Sequence, residues 1–108
     1  MEKQEVISAL AALAQETRLD VFRLLVRAGP DGLSPGVVSE ELGIPAATLS
    51  FHLKELRSAG LLVCERDGRS RIYSPDFETT TALISYLTEN CCQGVAERPS
   101  KQRTRRTS

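Results

Sequence analysis

The sequence predicts a mainly α-helical domain with one small β-hairpin. Apolar residues recur at helical spacing along most of the chain, and the pair Asp67-Gly68 separates two β-prone segments. At 108 residues, the chain is long enough to bury the core of one domain. We therefore expect a single folded unit over residues 1–94.

Two amphipathic helices are expected to open the chain. Residues 2–14 carry apolar side chains at helical spacing, and a second helix begins near residues 15–17. The sequence Gly-Pro-Asp-Gly at 29–32 ends that second helix. Within it we expect Arg18, Arg23 and Arg27 to point outward to solvent.

Residues 44–60 predict the helix around which the chain is organised. Leu49, Leu53 and Leu56 form one narrow apolar stripe, and the opposite face begins with small residues. A face of small side chains can approach another surface closely, and a DNA major groove is wide enough to accept a helix. A short helix over residues 34–43 precedes it across a tight turn, which predicts a helix-turn-helix.

The segments 61–66 and 69–74 predict a hairpin with the loop Asp67-Gly68. In that register Arg66 faces Arg69, Cys64 faces Arg71, and Val63 faces Ile72. The Val63 face would be buried and the arginine face exposed. Two opposed arginines cost stability unless an anion, such as a phosphate, lies beside them.

A last helix over about residues 76–90 completes a winged helix-turn-helix. Its apolar stripe and that of the first helix are surplus to a minimal winged helix. In a small chain, such stripes can bury each other across a two-fold axis. We therefore expect a homodimer formed through the first and last helices.

Charge and cysteine content restrict the setting of the protein. The 14 basic and 14 acidic residues balance, but residues 97–108 hold five Lys or Arg against one Glu. We expect 95–108 to be a disordered basic tail that either attracts DNA or merely solubilises the chain. The N-terminus lacks a secretory signal, and no apolar run has membrane-spanning length. A cytoplasmic protein without a membrane partner is expected, with its three cysteines reduced.

Three motifs, in order, resemble the ArsR/SmtB repressors: AQETRLDVFRLL (14–25), SFHLKELRSAGL (50–61) and RDGRSRIY (66–73). The resemblance runs from about residue 5 to 94. It implies a dimeric winged-helix protein that releases operator DNA when a metal or metalloid binds. It also implies that residues of the central helix and the hairpin contact double-stranded operator DNA.

The candidate DNA-binding residues fall into two groups. Thr48 and Ser50 can hydrogen-bond to base edges or phosphate, and the Phe51 ring can contact a thymine methyl or instead pack on a neighbouring helix. Lys54 and Arg57 suit phosphates, although a solvated face is the alternative. For His52, a structural role is favoured over metal binding. The candidates are Ala47, Thr48, Ser50, Phe51, Lys54 and Arg57 on the helix, and Arg66, Arg69 and Arg71 on the hairpin, which is the wing of this fold.

Cys91 and Cys92 are the candidate metalloid ligands. The resemblance implies a sensing site, but positions 37–42, which hold cysteines in many arsenic-responsive members, read Val-Val-Ser-Glu-Glu-Leu here. The sequence 87–94 instead resembles a C-terminal cysteine-pair version, without that version's third tail cysteine. Trivalent arsenic is thiophilic, so arsenite, methylarsenite and antimonite are the expected inducers. We expect Cys91 to continue the apolar stripe of the last helix towards the dimer face.

Alternatives remain for each cysteine. The pair could act as a redox or reactive-sulfur switch, or pack as small apolar side chains. Packing is the favoured role for Cys64. An enzyme is not expected, because the only histidine, His52, belongs to the DNA-reading helix and is not available as a catalytic base.

Overall fold

A computed structural model describes residues 1–95 as five helices and a two-stranded antiparallel sheet, which confirms the predicted fold class. The predicted basic tail lies outside the described residues, apart from Val95. No helix in the described part combines the length and apolarity needed to cross a membrane. The elements are α1 (Lys3–Leu13), α2 (Glu16–Ala28), α3 (Pro35–Leu42), α4 (Ala46–Ser58), β1 (Leu62–Asp67), β2 (Ser70–Pro75) and α5 (Phe77–Thr88).

Helices α3 and α4 form the predicted helix-turn-helix. The Ser34 hydroxyl caps α3 by accepting from the Val37 N–H, and Gly43 ends the helix in the left-handed conformation at φ 65°. The Ser39 hydroxyl donates to the carbonyl of Ile44 and closes the turn. Because only three residues separate the helices, the start of α4 is fixed by the end of α3.

The core lies under α4. Its leucine stripe, Leu49, Leu53 and Leu56, is buried against the other helices, as the sequence predicts. Burying a leucine stabilises a fold by about 2 kcal/mol, so this stripe determines which side of α4 faces inward. The other buried apolar residues are Val6, Ala9, Ala12, Val21, Phe22, Leu24, Leu25, Val38, Leu61, Leu62 and Leu83.

The hairpin has a different register from the predicted one. Its two-residue loop is Gly68-Arg69, so Arg66 pairs with Arg71 and Cys64 pairs with Tyr73. The predicted pairs of Arg66 with Arg69, Cys64 with Arg71 and Val63 with Ile72 are therefore wrong. The inward face is also the other one: Leu62 is buried, and Val63 is exposed. Burial of Leu62 in the core fixes this choice, because adjacent strand residues point to opposite faces.

A third chain segment holds β2 in place. The N–H of Leu33 donates to the carbonyl of Tyr73, and the N–H of Tyr73 donates to the carbonyl of Leu33, both at 2.9 Å. The residue before this bridge, Gly32, has φ 71°, and a Cβ there would lie 2.6 Å from the Tyr73 carbonyl oxygen. Gly32 therefore permits the close approach that joins the wing to the start of α3.

Replacing Gly32 with alanine should lower the free energy of unfolding by about 1–3 kcal/mol, because the new Cβ combines a strained backbone with a clash. Urea denaturation monitored by circular dichroism measures the change. Gly36→Ala is the matched control. Its Cβ would have no contact closer than 4.0 Å, and alanine suits a helix. Equal stability of Gly32→Ala and the parent protein would contradict the role given to Gly32.

Candidate DNA interface and thiol pair

The candidate residues of α4 lie on the side opposite the leucine stripe. Ala47, Thr48, Ser50 and Phe51 occupy the first half of the helix, and all four are exposed. Lys54 and Arg57 continue this surface towards the C-terminus and are also exposed. The small side chains leave the backbone of the first turns accessible. A major groove is wide enough to accept an α-helix, and small side chains on its outer face allow the close approach that such a contact needs.

Phe51 is the most prominent apolar group on this surface, with 56% of the residue exposed. Its ring makes an edge contact with the His52 ring, at a centroid distance of 5.6 Å and an interplanar angle of 62°. The contact limits the directions in which the Phe51 ring can turn. An exposed aromatic ring held in this way can contact a thymine methyl group.

His52 has a structural place in the fold. It is 8% exposed, and its Nδ1 lies 3.3 Å from Nη1 of Arg18. A guanidinium only donates hydrogen bonds, so Nδ1 is the acceptor. The Nε of Arg18 donates to the carbonyl of Ala12 at 2.7 Å. The prediction that Arg18 points to solvent is therefore wrong, because its side chain joins the end of α1 to helix α4. The position of His52 at the flank of the leucine stripe indicates a structural histidine, but the sequence does not indicate that its partner is Arg18.

The wing brings one of its three candidate arginines to α4. Arg71 lies beside Lys54 and Arg57 in a shared hollow, while Arg66 pairs with Arg71 across the hairpin. Arg69 occupies the loop at the tip. The predicted pair of Arg66 with Arg69 is therefore wrong, and Arg66 instead opposes Arg71. Both arginines are exposed, on the same strand face as the buried Leu62.

Cys91 and Cys92 lie beyond the last helix instead of on it. Helix α5 ends at Thr88, and Asn90 and Cys92 have φ values of 60° and 64°. The expectation that Cys91 continues the apolar stripe is therefore wrong, because the chain has left the helix. The N–H of Cys91 still donates to the carbonyl of Thr88 at 3.1 Å, which holds the turn against the helix end.

The turn brings the two thiols together. The Sγ atoms of Cys91 and Cys92 are 3.0 Å apart, and both residues are exposed. The pKa of the Cys91 thiol is raised above its ordinary value, mainly by the hydrogen bond with Cys92 and then by the negative charge of the Cys92 thiolate. Cys64 lies on strand β1 and is half-buried. Within residues 1–95, no group of three or more His, Cys, Asp or Glu side chains is placed to hold a metal ion.

Comparisons with known proteins agree with this architecture. A family model described as a helix-turn-helix domain matches residues 13–65. The regulator NmtR of Mycobacterium tuberculosis is 40% identical over 98 residues, which cover 87% of this chain and 78% of NmtR. An HTH-type transcriptional regulator of Bacillus subtilis is 41% identical over 63 residues, which cover 58% of this chain but only 62% of that protein.

A further relative and two solved structures extend the comparison. A Halobacterium salinarum protein named for repression of an arsenical resistance operon is 32% identical over 79 residues, or 73% of this chain and 60% of that protein. The structure of HlyU from Vibrio cholerae has a TM-score of 0.65 at 31% identity and covers 86% of this chain and all of HlyU. An ArsR-like regulator from a Rhodococcus species has a TM-score of 0.70 at 25% identity, covering 78% of this chain and 76% of that one.

A recognition helix with an exposed outer face, a hairpin wing beside it and these relatives define a DNA-binding regulator of transcription. Within that class, the chain belongs to the ArsR/SmtB family of winged-helix regulators.

Replacing Arg18 with lysine should lower the free energy of unfolding by about 1–2 kcal/mol. A single ammonium lacks the guanidinium fork that reaches both the Ala12 carbonyl and His52, so one buried acceptor loses its partner. Urea denaturation measures the loss. Arg23→Lys, an exposed position on the same helix, is the control. The interpretation is contradicted if the two variants are equally stable.

Replacing Cys92 with serine should accelerate alkylation of Cys91 at about pH 8. Loss of the neighbouring sulfur lowers the pKa of Cys91, so a larger fraction is thiolate at that pH. Timed iodoacetamide labelling with peptide mass mapping gives the rate as a function of pH, and Cys64 in the same digests is the internal control. An unchanged or slower rate at Cys91 would show that the two sulfurs do not interact.

Proposed function

We propose that the protein is a homodimeric transcriptional repressor that leaves its operator when trivalent arsenic or antimony binds Cys91 and Cys92. The proposal rests on one observation above the others: two exposed thiols, 3.0 Å apart, at the end of the last helix. Sulfur ligands of one metal atom lie about 3–4 Å apart when metal–sulfur bonds are about 2.3 Å. The pair is therefore already arranged for a single bridging atom.

The chemistry balances without an oxidant. Methylarsenite carries two hydroxyl groups on trivalent arsenic. Each Cys sulfur forms an arsenic–sulfur bond, one hydroxyl leaves, and the thiol proton converts it to water. The methyl group keeps the third position, so two cysteines satisfy this ligand. Arsenite and antimonite have a third hydroxyl group, which either stays on the metalloid or leaves as water when a thiol of the partner subunit or of a small molecule replaces it.

Homodimerisation is supported by apolar side chains left uncovered on the terminal helices. Ile7 and Leu10 on α1, and Ile84 and Leu87 on α5, are each 41–59% exposed. Covering them against a second copy would remove apolar surface from water. A dimer also places two recognition helices on one duplex, where half-sites are about 34–36 Å apart.

The thiol turn is well placed to affect that dimer. It follows directly on α5, whose exposed Leu87 belongs to the proposed interface, while Leu83 on the same helix is in the core. An arsenical that links Cys91 to Cys92 constrains the turn and so favours one dimer geometry. A release of about 100-fold requires about 2.7 kcal/mol of difference in arsenical affinity between the two geometries.

Fluorescence anisotropy of labelled duplex DNA from the upstream region of the gene tests this function. The parent protein should bind the duplex and release it on addition of arsenite, methylarsenite or antimonite. Cys91→Ser and Cys92→Ser should bind the duplex with parental affinity and lose at least about tenfold in the inducer response. Cys64→Ser is the matched control and should respond as the parent does. Normal release by either variant of the pair would place the sensing site elsewhere.

The short distance between the two sulfur atoms also supports a second candidate function. Two thiols at 3.0 Å are also placed to form a disulfide when a peroxide accepts two electrons and two protons and is reduced to water. A peroxide arm in the same titration, with mass analysis of the 91–92 peptide, distinguishes the two. Release by peroxide with loss of two hydrogens, and no release by any arsenical, would favour the redox switch.

A further inference from the structure

A basic hollow lies between helix α4 and strand β2 of the wing. Its volume is about 480 Å³, and it is open to solvent. The six described residues that line it are three cations and three hydroxyl-bearing residues, and none is acidic. They are Ser50, Lys54, Arg57, Ser58, Arg71 and Tyr73.

Helical and strand periodicity bring these residues together. Ser50, Lys54 and Arg57 follow one another at i, i+4 and i+7 along one edge of α4. Arg71 and Tyr73 are two residues apart on β2, so they share one face of the hairpin. The paired hydrogen bonds between Tyr73 and Leu33 hold that face at a fixed distance from the helix-turn-helix. The walls of the hollow are thus part of the folded framework.

The clustered positive charges in the hollow favour a bound anion. Lys54, Arg57 and Arg71 converge on one space although the whole chain carries equal numbers of acidic and basic residues. Arg66 is not among the lining residues, but it is paired with Arg71 across the hairpin and adds a further positive charge to the same strand face. Positive charges this close repel one another. Attraction to an anion with several oxygen acceptors offsets that repulsion. The three hydroxyl groups are further donors to the same oxygens.

The position of the hollow favours a phosphate of DNA over a free anion. Ser50 belongs both to the hollow and to the exposed face of α4 that carries Ala47 and Phe51. A helix is about 10–12 Å in diameter and the major groove is about 12 Å wide, so the phosphate backbone runs along the flank of an inserted helix. The hollow occupies that flank, and the wing forms its outer wall.

We propose that this hollow holds a backbone phosphate of the bound duplex and that Tyr73 and Ser58 are phosphate-contacting residues alongside the three cations. The inference rests on the DNA-binding role described above and deepens it. A phosphate held between α4 and β2 joins the recognition helix and the wing through the ligand. Such a contact fixes the register of the protein on DNA and does not select the base sequence.

The test uses Tyr73→Phe and Ser58→Ala in the full chain, with anisotropy titrations against the upstream duplex and an unrelated duplex. Each variant should bind both duplexes about five- to tenfold more weakly, because each loses one hydrogen bond to a charged oxygen. The salt dependence of binding should stay parental for both, since no charge is removed. Arg71→Gln should instead reduce the slope of log K against log salt by about 0.9. Tyr86→Phe and Ser85→Ala on α5 are the matched controls and should bind as the parent does.

A chemical variant of the DNA separates direct contact from a structural effect. A neutral methylphosphonate is placed, one position at a time, along the upstream duplex. At the phosphate held in the hollow, the methylphosphonate should weaken DNA binding by the parent protein. It should also abolish the difference in DNA affinity between the parent and Tyr73→Phe. If the difference between them persists at every position, Tyr73 acts on folding and the proposal is overturned. Ser58, exposed on the last turn of α4, gives an independent answer because alanine is compatible with that helix.

The remaining outcomes separate this inference from the broader function. If Tyr73→Phe and Ser58→Ala bind the upstream duplex as well as the parent does, the hollow is not a phosphate site. The DNA-binding function of the protein then stands without it. If inorganic phosphate competes at constant ionic strength but neither variant changes DNA affinity, the hollow takes a free anion, and the proposal is again overturned. If the parent fails to bind duplex DNA at low salt, the DNA-binding role itself fails.

Discussion

Burial of one leucine stripe on α4 is the constraint on which the rest of the molecule depends. Leu49, Leu53 and Leu56 are buried on one side of α4, and the opposite side of this helix is left on the surface. That exposed face carries the small residues and Phe51, so the packing of the core determines what the protein presents to DNA. The contact of Arg18 with His52 adds a polar restraint on the same helix and ties its orientation to the end of α1. Stability and recognition are therefore properties of one helix.

The sequence predicts those parts of the fold that depend on local chemistry. Ser34, Gly43 and the leucine periodicity place α3 and α4 correctly, because capping and amphipathicity are encoded within a few residues. The hairpin register and the partner of Arg18 depend on distant contacts. Asp67-Gly68 is a good local loop signal, yet burial of Leu62 and the bridge between Leu33 and Tyr73 favour a loop one residue later. No local pattern reports such contacts.

The candidate sites, like the fold, have some features that the sequence predicts and others that it does not. The exposed residues of α4 follow directly from helical spacing, and the structure places them on one face. The hollow shared with the wing could not be predicted, because it requires the correct register of β2. Helical spacing predicts Cys91 on a continuing helix, but extended backbone at Glu89 ends the helix at Thr88, and left-handed backbone at Asn90 and Cys92 forms a turn. This turn, and not helical geometry, brings the two sulfurs together.

The proposed sensing site and the candidate DNA-binding face lie in separate parts of the chain, and the proposed mechanism joins them through the dimer. Native mass spectrometry of the protein–operator complex during a methylarsenite titration tests that link most directly. The account predicts two subunits per duplex, one methylarsenic bound to the 91–92 peptide of each subunit, and dissociation of the DNA as arsenic binds. A complex that keeps its duplex with both subunits loaded, or a monomer bound to DNA, would contradict it.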